Sequence, residues 1–193
     1  MNIIIFGPPG AGKGTQAKYL VKKLNNFQVS TGDMLRDEIN KETEIGKKII
    51  NIMNDGKFVD DEIVNTLLEN VIFDKSKKNK LIFDGYPRTI EQAKNLENLL
   101  ERSGQKLNYI LFLNVQKDSI IKRIEKRRIL EERSDDDANT ILKRYDTYME
   151  ITKPVLDYYS RNPNYHEVDG SQEIKEISSK IEQIIKEWDI DFK

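Results

Sequence analysis

The chain has no cysteine and a single histidine, His166, among its 193 residues. Disulfides, thiol nucleophiles, zinc centres built from Cys and His, and Ser-His-Asp triads are thereby excluded. An excess of either charge is also missing, because 32 Lys+Arg face 33 Asp+Glu for a net charge of −1. No global field draws such a chain to nucleic acid or anionic lipid, so neither is expected as a partner. The apolar run inside MNIIIFGPPG is far shorter than a signal segment, and no stretch approaches the roughly 18 apolar residues of a membrane span. A soluble, cytoplasmic protein without a membrane partner is expected. Internal repeats, low-complexity tracts and Ser/Gly/Pro linkers are absent. Carboxylates, Lys, Arg, hydroxyls, backbone groups and hard metals remain to do chemistry.

What is present is an alternation of short apolar runs with helical spacing. Residues 2–6 form a continuous apolar run ending at a Gly/Pro-rich turn, as expected of a parallel strand buried on both faces. Comparable runs stand at 27–29, 81–83, 109–115 and 165–168. Helical spacing follows at Ala17, Leu20, Val21 and Leu24, at Leu96, Leu99 and Leu100, at Ile120, Ile121 and Ile124, and from Ile174 to Trp188. Five strands alternating with helices predict an α/β fold, a doubly wound parallel sheet whose ligands bind beyond the carboxyl ends of its strands. Between the second and third runs the spacing reads as helices only, which predicts a helical insert over 30–59. A charged interruption predicts a short lid over 127–137. The remainder (1–29, 60–126 and 138–193) forms the core of one domain.

Three patterns carry chemistry. Gly7-Pro8-Pro9-Gly10-Ala11-Gly12-Lys13 fits G-x-x-x-x-G-K between a strand and a helix. Its glycines free backbone N–H groups to wrap phosphates, and Lys13 supplies a point charge. The hydroxyl residue usual after the lysine is replaced by Gly14, with Thr15 one place later. A magnesium ion is therefore expected to be held through phosphates and water. Second, Lys outnumbers Arg 23 to 9, yet six arginines fall at the expected ligand edge, insert or lid: Arg36, Arg88, Arg123, Arg127, Arg133 and Arg144. Their planar forks suit two polyphosphates. Third, Asp84 ends the strand at 81–83 and begins Asp84-Gly85-Tyr86-Pro87-Arg88-Thr89, a position suited to orienting magnesium or its waters. A helix-capping box from Thr89 to Gln92 would explain those two residues without a ligand. Ser134-Asp135-Asp136-Asp137 reads as a helix cap that also hinges the lid.

Taken together, GPPGAGKGT (7–15), STGDMLR (30–36), KFV (57–59), DGYPRTIEQ (84–92) and RSDDDANTILKR (133–144) resemble the adenylate kinase family over nearly the whole chain. The resemblance implies reversible phosphoryl transfer from MgATP to AMP, giving two ADP, by a P-loop kinase expected to be a monomer. It places Gly10, Ala11, Gly12, Lys13, Gly14 and Thr15 on the ATP phosphates, Arg123 over the adenine of ATP, and Gln172 near that base through its backbone. Thr31, Arg36, Lys57, Phe58, Val59, Gly85, Tyr86, Pro87, Arg88 and Gln92 would hold AMP. Arg127 would contact ATP, and Arg133 and Arg144 the transferring phosphates. The catalytic set is then Lys13, Arg88, Arg127, Arg133 and Arg144, with Asp84 reaching magnesium through water. Only five residues separate Arg127 from Arg133, so the resemblance is to members with a short lid and no zinc. Tyr86 stands where phenylalanine is commoner and is expected to change little. A pyrimidine-specific monophosphate kinase and a single-nucleotide P-loop switch remain the alternatives.

Overall fold

A computed structural model of the chain describes residues 1–131 and 138–191; the side chains of 125–131, 138, 139, 141 and 187–191 lie outside that description. At its centre is β1 (Asn2–Phe6), every residue of which is buried. Successive side chains of a strand point to opposite faces. Ile3 and Ile5 therefore enter one apolar cluster and Ile4 and Phe6 the other. With β2 (Phe27–Ser30), β3 (Leu81–Asp84), β4 (Leu107–Asn114) and β5 (Tyr165–Asp169) it forms one parallel sheet in the order β2-β3-β1-β4-β5.

One layer over the sheet consists of α1 (Lys13–Leu24), α6 (Lys117–Glu131) and α9 (Ile174–Asp191). These meet the Ile3/Ile5 face through Ala17, Leu20, Ile120, Ile124, Ile181 and Ile185. Over the other face lie α4 (Asp61–Ile72), α5 (Ile90–Arg102) and α8 (Lys153–Tyr159), with Leu68, Leu96 and Val155 in the second cluster. Full removal of each such side chain from water contributes about 2 kcal/mol, so the two clusters are what hold the sheet in place.

The observed strands differ from the apolar runs at their ends. β2, β3 and β5 each continue one residue further, to Ser30, Asp84 and Asp169. Ladder pairing needs backbone rather than apolar side chains, so a polar residue can close a buried strand. Register sets Ser30 beside Asp84 and Asn114 beside Asp169, and these polar ends line the edge where β1 enters its glycine turn.

Between β2 and β3 the chain forms α2 (Thr31–Asn40) and α3 (Glu44–Asn54) before α4. Ser30, Thr43 and Asp60 cap the three helices by accepting from the backbone N–H groups of Asp33, Gly46 and Glu62. A Cβ at Gly46 would lie 2.1 Å from the carbonyl oxygen of Glu38, so only glycine lets α3 sit against the end of α2. After α7 (Ala138–Thr147) the helical path runs through one π turn, Tyr148–Thr152, into α8. Pro154 in the first turn of α8 cannot donate the regular helical bond, which accounts for the change of spacing. No helix among the described residues is long and apolar enough to cross a membrane.

Candidate active site

The glycine loop grows out of the turn after β1. Gly10 and Gly12 have φ of +80° and +93°, a left-handed region open to glycine at little cost. At Gly10 a Cβ would also lie 2.7 Å from Cγ1 of Ile124, so α6 seats directly on the loop. Gly12 begins α1 with no side-chain cap, no acidic residue stands in the first turn, and the space at Gly12 is open. The amides of the helix start thus keep a positive potential that no side chain of α1 itself compensates, which favours phosphate binding. Lys13 Nζ donates to the carbonyl oxygens of Gly7 at 2.8 Å and Pro8 at 3.0 Å. The ammonium is thereby folded over the loop it would serve.

Asp84 lies across from this helix start. A Cβ at Gly14 would be 3.4 Å from Asp84 Oδ2, so the glycine that replaces a hydroxyl residue gives the carboxylate its approach. Gln28 Nε2 donates to Oδ2 at 3.1 Å. Burial raises the Asp84 pKa above the usual carboxylate range, with Lys13 pulling the other way. A nearby cation would favour the charged form. The donor set suits magnesium held chiefly by nucleotide oxygens and water: a single half-buried carboxylate is offered, and no group of three His, Cys, Asp or Glu occurs among the described residues.

Arg88 lies in the turn that follows β3. Its Nε donates to the carbonyl oxygen of Gly85 at 2.8 Å, and its guanidinium lies 4.8 Å from the centre of the Phe58 ring. Burial lowers its pKa to about 10, and the charges of Arg144 and Arg36 press in the same direction while Asp84 opposes them. The group stays charged at neutral pH, held in a low-dielectric place beside two like charges. Such a cluster is costly in itself and suits an anion that would occupy the centre. Arg36 reaches Asp33 at 2.5 Å, and a Cβ at Gly56 would meet Cγ of Arg144 at 3.2 Å, which sets α7 against the end of α3.

Beside Arg88 is a narrow pocket lined by Thr31, Leu35, Phe58, Val59, Val64, Gly85, Tyr86 and Gln92. Thr31 Oγ1 donates to the carbonyl oxygen of Gly85 at 3.0 Å. Thr89 does cap α5, accepting from the Gln92 backbone N–H at 3.1 Å, but the capping box is only half formed. Gln92 turns its side chain to the neighbouring residue, with Oε1 accepting from the Arg88 N–H at 2.7 Å and Nε2 donating to Asp61 Oδ1. The extra hydroxyl of Tyr86 is also used: it lies 3.0 Å from Asn65 Oδ1 and 3.2 Å from the carbonyl oxygen of Gln92.

At the other end of the sheet edge, Arg123 Nη1 donates to the carbonyl oxygen of Gly170 at 2.7 Å, and Nη2 to those of Ser171 and Gln172 at 3.3 and 3.4 Å. These residues are thus gathered, although Gln172 directs its own amide to Asp169 at 2.8 Å. Lys57 stands apart from the pocket, its ammonium exposed and paired with Asp55 at 3.0 Å. The side chain of Arg127, Arg133 with the rest of 132–137, and the side chain of Trp188 lie outside the described residues; so do most of the expected lid and the Ser134–Asp137 cap. Sequence patterning missed Asp61, Asn65 and Asn95. Asp61 is the middle of three acids opening a helix, Asp60 to Glu62, which reads as ordinary helix-start composition until its partner is seen.

A glycine turn after the central strand of a parallel sheet, a lysine over that turn, and half-buried arginines beside a second pocket define a P-loop nucleotide phosphotransferase. A family model described as Adenylate kinase matches residues 5–164. Among similar proteins are adenylate kinases of Pelagibacter ubique, 47% identical over 96% of this chain and 100% of the relative, and of Mycoplasma mycoides subsp. mycoides, 41% identical over 87% and 91%. Another, from Caulobacter sp., is 41% identical over 94% and 96%. The chain belongs to the adenylate kinase family.

Proposed function

We propose that this enzyme carries out the family's reaction, reversible transfer of the terminal phosphoryl group of ATP to AMP with formation of two ADP, using the residues gathered at the carboxyl edge of its sheet. The observation that carries the assignment is the convergence of Arg36 and Arg144 on Arg88, whose proton affinity burial and those two charges lower, beside a pocket separate from the phosphate loop. One nucleotide needs one set of cations; a second set implies a second phosphate ester.

Gly10–Thr15 would hold the ATP phosphates by backbone N–H groups, with Lys13 leaving its loop carbonyls for the transferring oxygens. Arg123 and the 170–172 segment would take the adenine of ATP. Thr31, Arg36, Phe58, Val59, Gly85, Tyr86, Pro87, Arg88 and Gln92 would hold AMP, with Lys57 contributing only backbone. Arg88 and Arg144, joined by Arg127 and Arg133, would surround the group in flight. Phosphoryl transfer needs little covalent help from a protein; it needs in-line placement and cations fixed where charge collects. Magnesium, held by the phosphates and by waters oriented on Asp84, would supply charge neutralisation on the nucleotide.

The insert at 30–59 and a short lid at 127–137 would close over the two nucleotides and keep water from the transferring group. The near-zero net charge offers no attraction to nucleic acid, and the reading is of a cytoplasmic monomer, as the family resemblance implies. Removing Arg88 tests the reading. Arg88→Ala is expected to lower kcat/KM for AMP by about a hundredfold or more, because a charge-assisted clamp is lost; a loss below threefold contradicts the assignment.

A further inference from the structure

The acceptor pocket contains one amide whose orientation is set from both ends. Gln92 is 4% exposed and lines the pocket beside Thr31, Val59 and Arg88. Its Oε1 accepts from the Arg88 backbone N–H and its Nε2 donates to Asp61. A backbone N–H can only donate and an ionised carboxylate can only accept. Turning this amide over would set N–H against N–H at one end and oxygen against oxygen at the other, in a buried position where such mismatches cost most. A carboxylate in the first turn of α4 also favours that helix by its charge. Helix stability would explain an acid at position 61; it would not require that acid to reach across to α5.

We propose that Asp61 is a positioning residue for base selection, locking the Gln92 amide so that its remaining Oε1 lone pair and Nε2 hydrogen offer one acceptor and one donor to the base of the acceptor nucleotide. The proposal rests on the reading of Gln92 as the residue that meets that base. Adenine presents an amino donor beside a ring-nitrogen acceptor, the complement of the locked amide. A 6-oxopurine presents the reverse pattern and would need the amide turned over. Cytosine and uracil differ in the same sense, so the lock sorts amino from oxo bases, while ring size is left to the pocket walls.

The test is the ratio of kcat/KM for AMP over IMP, with CMP over UMP as a second pair. Asp61→Asn removes one of the two constraints, because an asparagine can offer either an oxygen or an NH2 group. It is expected to lower the AMP/IMP ratio about tenfold, chiefly through a lower KM for IMP, and to move CMP/UMP in the same direction. Asp61→Glu keeps a carboxylate and is expected to hold the ratio. Gln92→Ala should collapse the ratio, and adding Asp61→Asn to it should change nothing further. If Gln92→Ala collapses the ratio and Asp61→Asn leaves it intact, this inference fails alone. If Gln92→Ala leaves the ratio intact, the base reading fails and the inference with it. A shift produced by Asp61→Asn even without Gln92 would assign the effect to the fold of α4 and overturn the lock.

Discussion

Single side chains in this protein divide into those whose type announces their task and those whose task depends on a partner. Lys13 and Arg88 belong to the first kind, since a glycine loop and a post-strand turn already fix what a cation there can meet. Asp61 and Asn65 belong to the second: one looks like a helix-start acid and the other like a helix-surface amide. Only the packing of α4 on α5 brings them to Gln92 and Tyr86. Tyr86→Phe makes that dependence measurable. The buried hydroxyl has Asn65 as a partner, while Asn95 keeps its own 3.0 Å bond to Asn65. The loss should therefore stay at about 1 kcal/mol, seen as a lower denaturant midpoint at unchanged slope. Gly10→Ala should act differently, because the added carbon meets Ile124. It is expected to raise KM for ATP at least tenfold with little change in KM for AMP, measured by varying each nucleotide at saturation of the other.

At the scale of elements, the strands were the most legible part, because a strand buried on both faces can hardly be written except as an apolar run. Their last residues were not, since Ser30, Asp84 and Asp169 continue the ladder with polar side chains turned to the ligand edge. The π turn at Tyr148–Thr152 was likewise invisible to spacing, being a consequence of one missing N–H at Pro154 within an otherwise helical pattern. The close approach of α3 to the end of α2 requires the missing Cβ of Gly46. Gly46→Ala would force these helices apart and is expected to cost at least about 2 kcal/mol, read by thermal or denaturant unfolding. Because α2 carries Thr31 and Arg36, the folded fraction should show a raised KM for AMP and an unaltered KM for ATP. Equal effects on both nucleotides would mean that α2 and α3 do not act as an acceptor-binding unit.

The whole molecule sets the phosphate loop and the second pocket on the same sheet edge, with Asp84, Arg88 and Arg144 between them. Its low net charge and lack of sulfur and histidine chemistry leave placement and fixed cations as the means of catalysis, which is what phosphoryl transfer asks. α7 already touches the end of α3, where Thr140 Oγ1 donates to the carbonyl oxygen of Asn54 at 3.4 Å. Because the phosphate loop and the second pocket would each hold one nucleotide with its own cations, turnover should require both. ADP formation from MgATP, followed with AMP, CMP, UMP or GMP and with no acceptor, tests this directly. Rapid turnover with AMP, far slower turnover with the other three and negligible release without an acceptor are expected; ADP formation at the same rate whatever the acceptor, or with none, would contradict a two-nucleotide site.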